Sequence, residues 1–314
     1  MESSPQSAGR IARPKLSGRP VPRGALDHRV APRAGVWDSR RMAGEQPRTE
    51  REVLEYYGRG EERGRLETGY GPLERERTRE ILSRVLPPPP ATVADIGGGA
   101  GVHALWLASL GYAVHLRDPV PLHIEQAEAA ARERGLRLAS LGIGDAREVD
   151  LRDGSVDVAL LLGPLYHLQE APDRREALGE AHRILRGGGL LAVAAISRWA
   201  PVLDGLRLGL LEDEGHLAVL DEAQETGRFD PLPQSGFTKA YLHRPDELLA
   251  EAASAGFEVS DVVGLEGLGF ALADFAERWA DPRKRAALLE GARRIEGVPE
   301  LLGLSPHLLL TARR

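Results

Sequence analysis

The residues best suited to chemistry gather in Asp95-Ile96-Gly97-Gly98-Gly99-Ala100-Gly101, between a short apolar run and a helical pattern. Glycines let the backbone turn sharply and let a ligand approach without a Cβ in the way. A strand–turn–helix of this kind aims backbone N–H groups at a bound molecule. Two spacings can be read from it. One is Asp-x-Gly-x-Gly-x-Gly, on Asp95, Gly97, Gly99 and Gly101; the other is Gly-x-Gly-x-x-Ala, on Gly99, Gly101 and Ala104. The second would cradle a pyrophosphate, as in an NAD(P)-dependent oxidoreductase. Asp95 favours the first, because a carboxylate at the strand end repels a pyrophosphate and attracts a cationic group. Capping of the loop amides is the purely structural alternative for Asp95. Asp118, after the next strand, is placed for a ribose under either spacing.

A second cluster, Leu162-Gly163-Pro164-Leu165-Tyr166-His167-Leu168, follows the fourth apolar run. Strand C-termini in open α/β sheets face the ligand crevice, so Tyr166 and His167 should lie near the reacting atoms. Imidazole, with an unperturbed pKa of about 6.5, can take a proton near neutrality. The competing reading is a histidine bonded to backbone that shapes the pocket and moves no proton. His103 and His182 on helices, and His115 in a strand, are assigned no chemistry. Upstream, the stretch from Tyr56 to Leu66 is too glycine-rich for a stable helix and too aromatic for a linker. Arg77, on the helix before a proline run, can offer a bidentate fork to a carboxylate or form a surface ion pair.

These residues need a scaffold, and the patterning supplies one. Apolar residues at helical spacing run from Glu50 to Tyr57 and from Leu73 to Val85, where Pro87 to Pro90 stop the helix. Strands are expected at Thr92–Ile96, Ala113–Leu116, Leu136–Leu141, Val156–Leu162 and Leu190–Ile196, separated by helices at Val102–Leu110, Pro121–Arg134 and Arg174–Leu185. Such alternation implies right-handed crossovers and a buried parallel sheet. Two helices are expected within Trp199–Glu225, a loop at Gly227–Gly236, and a helix at Pro245–Ala255. A strand at Phe257–Val263, two helices within Leu272–Ile295 and a last strand at His307–Ala312 complete the pattern.

Taken in order, the motifs resemble class I S-adenosylmethionine (AdoMet)-dependent methyltransferases of the ubiquinone/menaquinone-biosynthesis, methyltransferase type 11-like, small-molecule subgroup. Glu180 to Leu191, Glu-Ala-His-Arg-Ile-Leu-Arg-Gly-Gly-Gly-Leu-Leu, is similar to that subgroup's helix, turn and fifth strand, with Gly187 standing where it usually has proline. The resemblance implies an α/β, doubly wound, Rossmann-like seven-stranded sheet of order 3-2-1-4-5-7-6. Strand seven is antiparallel, and a helical N-terminal lid and a helical cap insertion complete the fold. It implies that Asp95, Gly97, Gly99 and Gly101 hold AdoMet, that Asp118 binds both ribose hydroxyls, and that Asp145 contacts the adenine amino group. The amide of Ala146 would face the ring, and Leu162 would border the cofactor. Tyr57 would contact the carboxylate or methyl-donor region, with Arg77 on the carboxylate. Glu62 and Arg65 would line the acceptor side, and Glu62, Tyr166 and His167 are the candidate catalytic residues.

Composition narrows the chemistry. The 314 residues include no cysteine, which removes thiolate catalysis, Cys-ligated zinc and radical AdoMet clusters. There is also no asparagine, so the Asp/Asp/Asn metal set of catechol-type enzymes is missing and no metal is expected. An AdoMet-dependent, metal-independent methyl transfer to a small apolar or aromatic acceptor remains. A catalytically silent AdoMet-binding module is its rival from another class. Trp199, Phe229, Phe237 and Tyr241 would suit a cap over such an acceptor, with ordinary packing of two extra helices the favoured reading for at least two of the four. Residues 1–48 carry 10 basic and 4 acidic side chains, and the remainder 31 and 43. The acidic body argues against a nucleic-acid partner. The Arg-rich head reads as disordered: either a transit peptide or, for residues 1–41 before Met42, an over-extended start. Residues 49–314 would then form the methyltransferase domain, with the cap at about 198–242. No 18-residue apolar run spans a membrane, and a cytoplasmic location is expected.

Overall fold

The computed structural model describes residues 51–232 and 237–314, with the backbone alone at Glu61, Glu62 and Arg63. The expectations for residues 1–48 lie outside the described residues. The described residues fall within one compact unit, Gln46–Arg314.

Proline and glycine set most boundaries. Helix α1 (Arg51–Tyr57) leads through a 3-10 turn (Glu61–Glu67) into α2 (Gly71–Val85), which ends at the proline run. The alternation follows as β1 (Thr92–Ile96), α3 (Val102–Ser109), β2 (Ala113–Asp118), α4 (Pro121–Glu133), β3 (Ser140–Ile143) and β4 (Val156–Leu161). Next come α5 (Pro164–His167), α6 (Ala171–Ile184) and the long β5 (Leu185–Ser197). The third strand thus starts later than Leu136, and the segment after β4 holds a turn of helix, begun by Pro164 at its first position.

Strands β3-β2-β1-β4-β5 are parallel neighbours. The last strand, β9 (His307–Arg313), runs antiparallel beside β5, and β8 (Glu258–Gly264) runs antiparallel beside β9. With β8 as the sixth strand and β9 as the seventh, the order is the expected 3-2-1-4-5-7-6. Both faces are covered, so the central strands read as continuous apolar runs. Alternate residues serve different cores: Ala159, Leu161, Leu191 and Val193 pack toward α6 and α9 (Pro245–Ser254). Val158, Leu160, Leu190 and Ala192 pack on the other face, with residues of α2, α3 and α4.

The insertion after β5 is tied into the sheet. It contains α7 (Ala200–Leu208), α8 (Glu214–Thr226), β6 (Arg228–Phe229) and β7 (Ala240–His243). Strand β7 adds in parallel to the end of β5, pairing Ile196 with Leu242 and Ser197 with His243. The buried Arg198 fastens it, donating to Leu242 O at 2.7 Å, Gln224 O at 3.1 Å and Glu247 at 2.6 Å. The loop expected at Gly227–Gly236 therefore begins with a strand, while residues 233–236 lie outside the described ones. Helices α10 (Phe275–Ala280) and α11 (Pro282–Ile295) precede β9. Among the described residues no helix is long and apolar enough to cross a membrane.

Candidate active site

The turns after β1, β2 and β4 line a cavity with about 1370 Å³ of empty space, solvent at its mouth included. The glycine turn owes its path to missing side chains. Gly97 has φ 68°, and a Cβ there would lie 2.5 Å from Pro164 Cγ. A Cβ on Gly98, which the sequence spacings passed over, would lie 2.2 Å from Leu116 Cδ1 and 2.7 Å from the Asp95 carboxylate. Gly99 (φ 56°) faces open space, and its N–H donates to Asp118 Oδ2 at 2.9 Å. Gly101 caps α3 with φ 82° and shapes the turn from outside the cavity lining.

Three cavity-lining residues carry buried polar atoms with no well-formed hydrogen bond to the protein: both oxygens of Asp95, Nδ1 of His103 and Nε2 of His123. Buried polar atoms are normally paired, so a ligand in the cavity would meet an unpaired carboxylate and two unpaired ring nitrogens. Burial, reinforced by the Asp118 carboxylate, pushes Asp95 up to about 7, against the opposing Ala104 amide. A cationic group beside it would restore its charge. The loop, the orphaned carboxylate and the acidic Asp118 fit the amino-acid and ribose parts of AdoMet.

Asp118 also accepts from Val120 N–H and from His123 Nδ1, each at 2.9 Å. His123 drew no notice in the sequence; the signal was a histidine in the first turn of the helix that follows the strand-two acid. Asp145 and Ala146 line the cavity as expected, with Arg147 holding the Asp145 carboxylate at 2.7 and 2.9 Å. Leu162 lines it too.

Tyr57 and His167, 110 positions apart in sequence, meet at 2.7 Å between the phenol oxygen and Nε2. His167 Nδ1 lies 3.3 Å from the carbonyl oxygen of Lys239. A carbonyl only accepts, so Nδ1 carries the proton and Nε2 accepts from the tyrosine. Burial pushes His167 down to about 4, which keeps the imidazole neutral. Tyr166 is buried with its ring edge-on to His167, centroids 4.6 Å apart.

Elsewhere the wall is ionic. Arg65 forks onto Glu74 at 2.6 and 2.9 Å. Behind Glu74, His307 lies 3.7 Å from it and 2.5 Å from Glu266. Burial alone would lower the His307 pKa, but Glu74 and Glu266 outweigh it and raise it to about 9. Glu74 is held ionised at about 2, its burial offset by Arg65 and His307.

Two expectations need correction. Arg77 is not in the cavity wall. It is fully buried, and its guanidinium is consumed by Glu80, Glu296 and the carbonyl of Leu265. The cap aromatics do not line the cavity either, which carries the packing reading beyond the two of the four for which it was favoured. Phe229 packs in the cap's own core, Trp199 is partly exposed against Gly303, and Tyr241 lies under the Arg174 guanidinium at 3.5 Å. Phe237 alone of the four approaches the site, its ring 6.2 Å from that of His167. The Glu62 side chain lies outside the described ones.

Comparison with known proteins agrees with this geometry. The methyltransferase-domain family matches residues 94–193. The chain is 30% identical over 197 residues to an uncharacterised methyltransferase of Mycobacterium sp. (strain JLS), covering 60% of this chain and 67% of the relative. It is 32% identical over 124 residues to the ubiquinone/menaquinone biosynthesis C-methyltransferase UbiE of Acidiphilium cryptum. That match covers 38% of this chain and spans only about half, 48%, of the relative. The fold is shared with a SAM-dependent methyltransferase of Methanosarcina mazei at TM-score 0.52 and 22% identity, over 74% of this chain and 96% of that one. From the glycine turn through β5, then, motif order, sheet order and relatives coincide, and the chain belongs to the class I AdoMet-dependent methyltransferases.

Proposed function

We propose that the protein transfers a methyl group from AdoMet to a small acceptor with an apolar or aromatic body. The observation that carries the reading is the Tyr57–His167 pair bordering the cavity that also holds the orphaned Asp95. AdoMet, when bound, supplies a methyl group already activated on a sulfonium. The remaining tasks are to hold the nucleophile in line and to keep water out. Val53, Leu66, Leu162, Ala194 and Leu265 provide apolar wall for the acceptor body.

His167 acts through Tyr57 in this reading. Its Nε2 is occupied by the phenol, so the group that meets an acceptor hydroxyl is the tyrosine oxygen. An acceptor O–H donates to Tyr57 as the phenol proton moves to Nε2, and the Lys239 carbonyl steadies the imidazolium through Nδ1–H. Asp95, Gly97, Gly99, Asp118, Asp145 and Ala146 form the cofactor side, and Tyr166 backs the His167 ring.

A panel of phenolic, enolic and aliphatic small metabolites with methyl-labelled AdoMet tests the proposal. Label should appear in at least one acceptor, and in none when Tyr57 and His167 are both replaced. Binding of S-adenosylhomocysteine with no label transferred to any acceptor would turn the reading toward a silent cofactor-binding module.

A further inference from the structure

Counting lone pairs at Asp118 exposes a deficit. A carboxylate offers about four acceptor sites. In this chain Oδ1 already takes Val120 N–H and His123 Nδ1–H, and Oδ2 takes Gly99 N–H. About one site is left, whereas the ribose of AdoMet brings two hydroxyls. A second acceptor is needed close by.

One is attached to the same carboxylate. His123 lines the cavity from the first turn of α4, 3% exposed. Its Nδ1–H is committed to Asp118, so Nε2 carries the lone pair. That Nε2 is sealed from water and meets no protein donor. Tyr57 stands edge-on to the ring with centroids 5.6 Å apart, but its hydroxyl is directed at His167.

We propose that His123 Nε2 is the second ribose acceptor, so that Asp118 and His123 hold one hydroxyl each as a coupled unit. The inference rests on the AdoMet reading. Asp118 is a positioning residue here as well as a ligand contact: it sets the tautomer that leaves Nε2 free to accept. No proton is transferred. The assignment also explains why a buried acceptor sits unpaired beside the strand-two acid.

Calorimetry on the full chain tests it, with S-adenosylhomocysteine and its 2′-deoxy and 3′-deoxy forms as probes. Wild type should lose about tenfold in affinity for each deoxy form, the usual order for one buried hydrogen bond left unmade. In His123→Asn the amide nitrogen keeps a donor for Asp118 while the distal acceptor is gone. That variant should bind the parent ligand about tenfold more weakly, and it should no longer distinguish one of the two deoxy forms. The other penalty, which belongs to Asp118, should persist. 5′-Methylthioadenosine, which keeps the ribose and lacks the amino-acid half, should weaken by the same factor. Survival of both deoxy penalties in His123→Asn overturns the proposal. A loss with S-adenosylhomocysteine but not with methylthioadenosine overturns it as well, by assigning Nε2 to the amino-acid half. If the Asn variant does not fold, His123→Leu is read instead: it offers no acceptor, so one penalty should vanish, and survival of both overturns the idea. Wild type that fails to bind any of the probes overturns the cofactor reading itself.

Discussion

Two stretches of the cavity wall each rest on a part-buried histidine, and the two are driven in opposite directions. His167 meets a phenol and a carbonyl, and burial pushes it down to about 4. His307 meets Glu266 and Glu74, and is raised to about 9. Burial has one sign for imidazole, so the difference lies in the partners: two carboxylates reverse it, neutral oxygens do not. The neutral stretch can accept a proton and sit beside an apolar acceptor. The ionic stretch alternates Arg65, Glu74, His307 and Glu266, each charge facing its opposite.

The contrast is open to direct attack. The largest expected effect is on stability. His307 has a folded pKa above its unfolded value of about 6.5, so its contribution is fully present below about pH 6.5 and lost as pH rises through about 9. The loss should total roughly 3 kcal/mol, and Glu266→Gln should flatten it. His167 has the opposite sign, its folded pKa lying below the unfolded one, so its contribution should rise from about pH 4 to 6.5, against the fall that the raised Asp95 contributes over the same window, and His167→Phe should remove the rising part. Urea titrations across this range check both limbs; a wild-type curve level from about pH 6.5 to 9 breaks the ionic half of the comparison.

On the neutral side, Tyr57→Phe removes the phenol that joins His167 to the acceptor, and turnover should fall about 100-fold. S-adenosylhomocysteine affinity should move less than about threefold, since Phe keeps the packing. An equal loss in affinity would instead put Tyr57 on the cofactor's side. For Asp95→Asn, AdoMet binding should weaken about tenfold. Because free Asp95 titrates near 7 and a cationic ligand favours its ionised form, wild-type affinity should rise with pH up to about 7 and then level. Calorimetry showing no such rise would remove Asp95 from the cofactor contact. The smallest change at the site is expected for Arg77→Met: thermal stability falls, while S-adenosylhomocysteine affinity shifts by less than about twofold. A larger shift would bring Arg77 back toward the ligand.

The legible part of the site is the part made of local segments. Asp95 and Asp118 lie at the C-terminal ends of strands, Gly97, Gly99, Asp145 and Ala146 just beyond them, and strand ends share one edge of a parallel sheet, so their convergence follows from the alternation alone. Arg77 was misplaced because a helix shows its apolar face in sequence but not which of its charges meets a distant carboxylate; Glu296 lies 219 positions away. The cap aromatics were legible only in part, for a related reason. Burial is legible in aromatic residues, but whether they bury into a pocket or a private core depends on β6 and β7, two strands too short to show a period.

The sequence by itself determined the glycine turn and the strand–helix alternation, because each depends on contiguous residues whose spacing is set by strand and helix geometry; the sheet order and the cofactor class came from its resemblance to the class I methyltransferases. Tertiary structure decided the rest. It joined Tyr57 to His167 and fixed that histidine's tautomer through Lys239. It used up most of Asp118 on Gly99, Val120 and His123, and it surrounded His307 with carboxylates from two other elements. Hydrogen-bond partners and local fields are properties of what lies nearby in space, and the linear pattern carries no term for them.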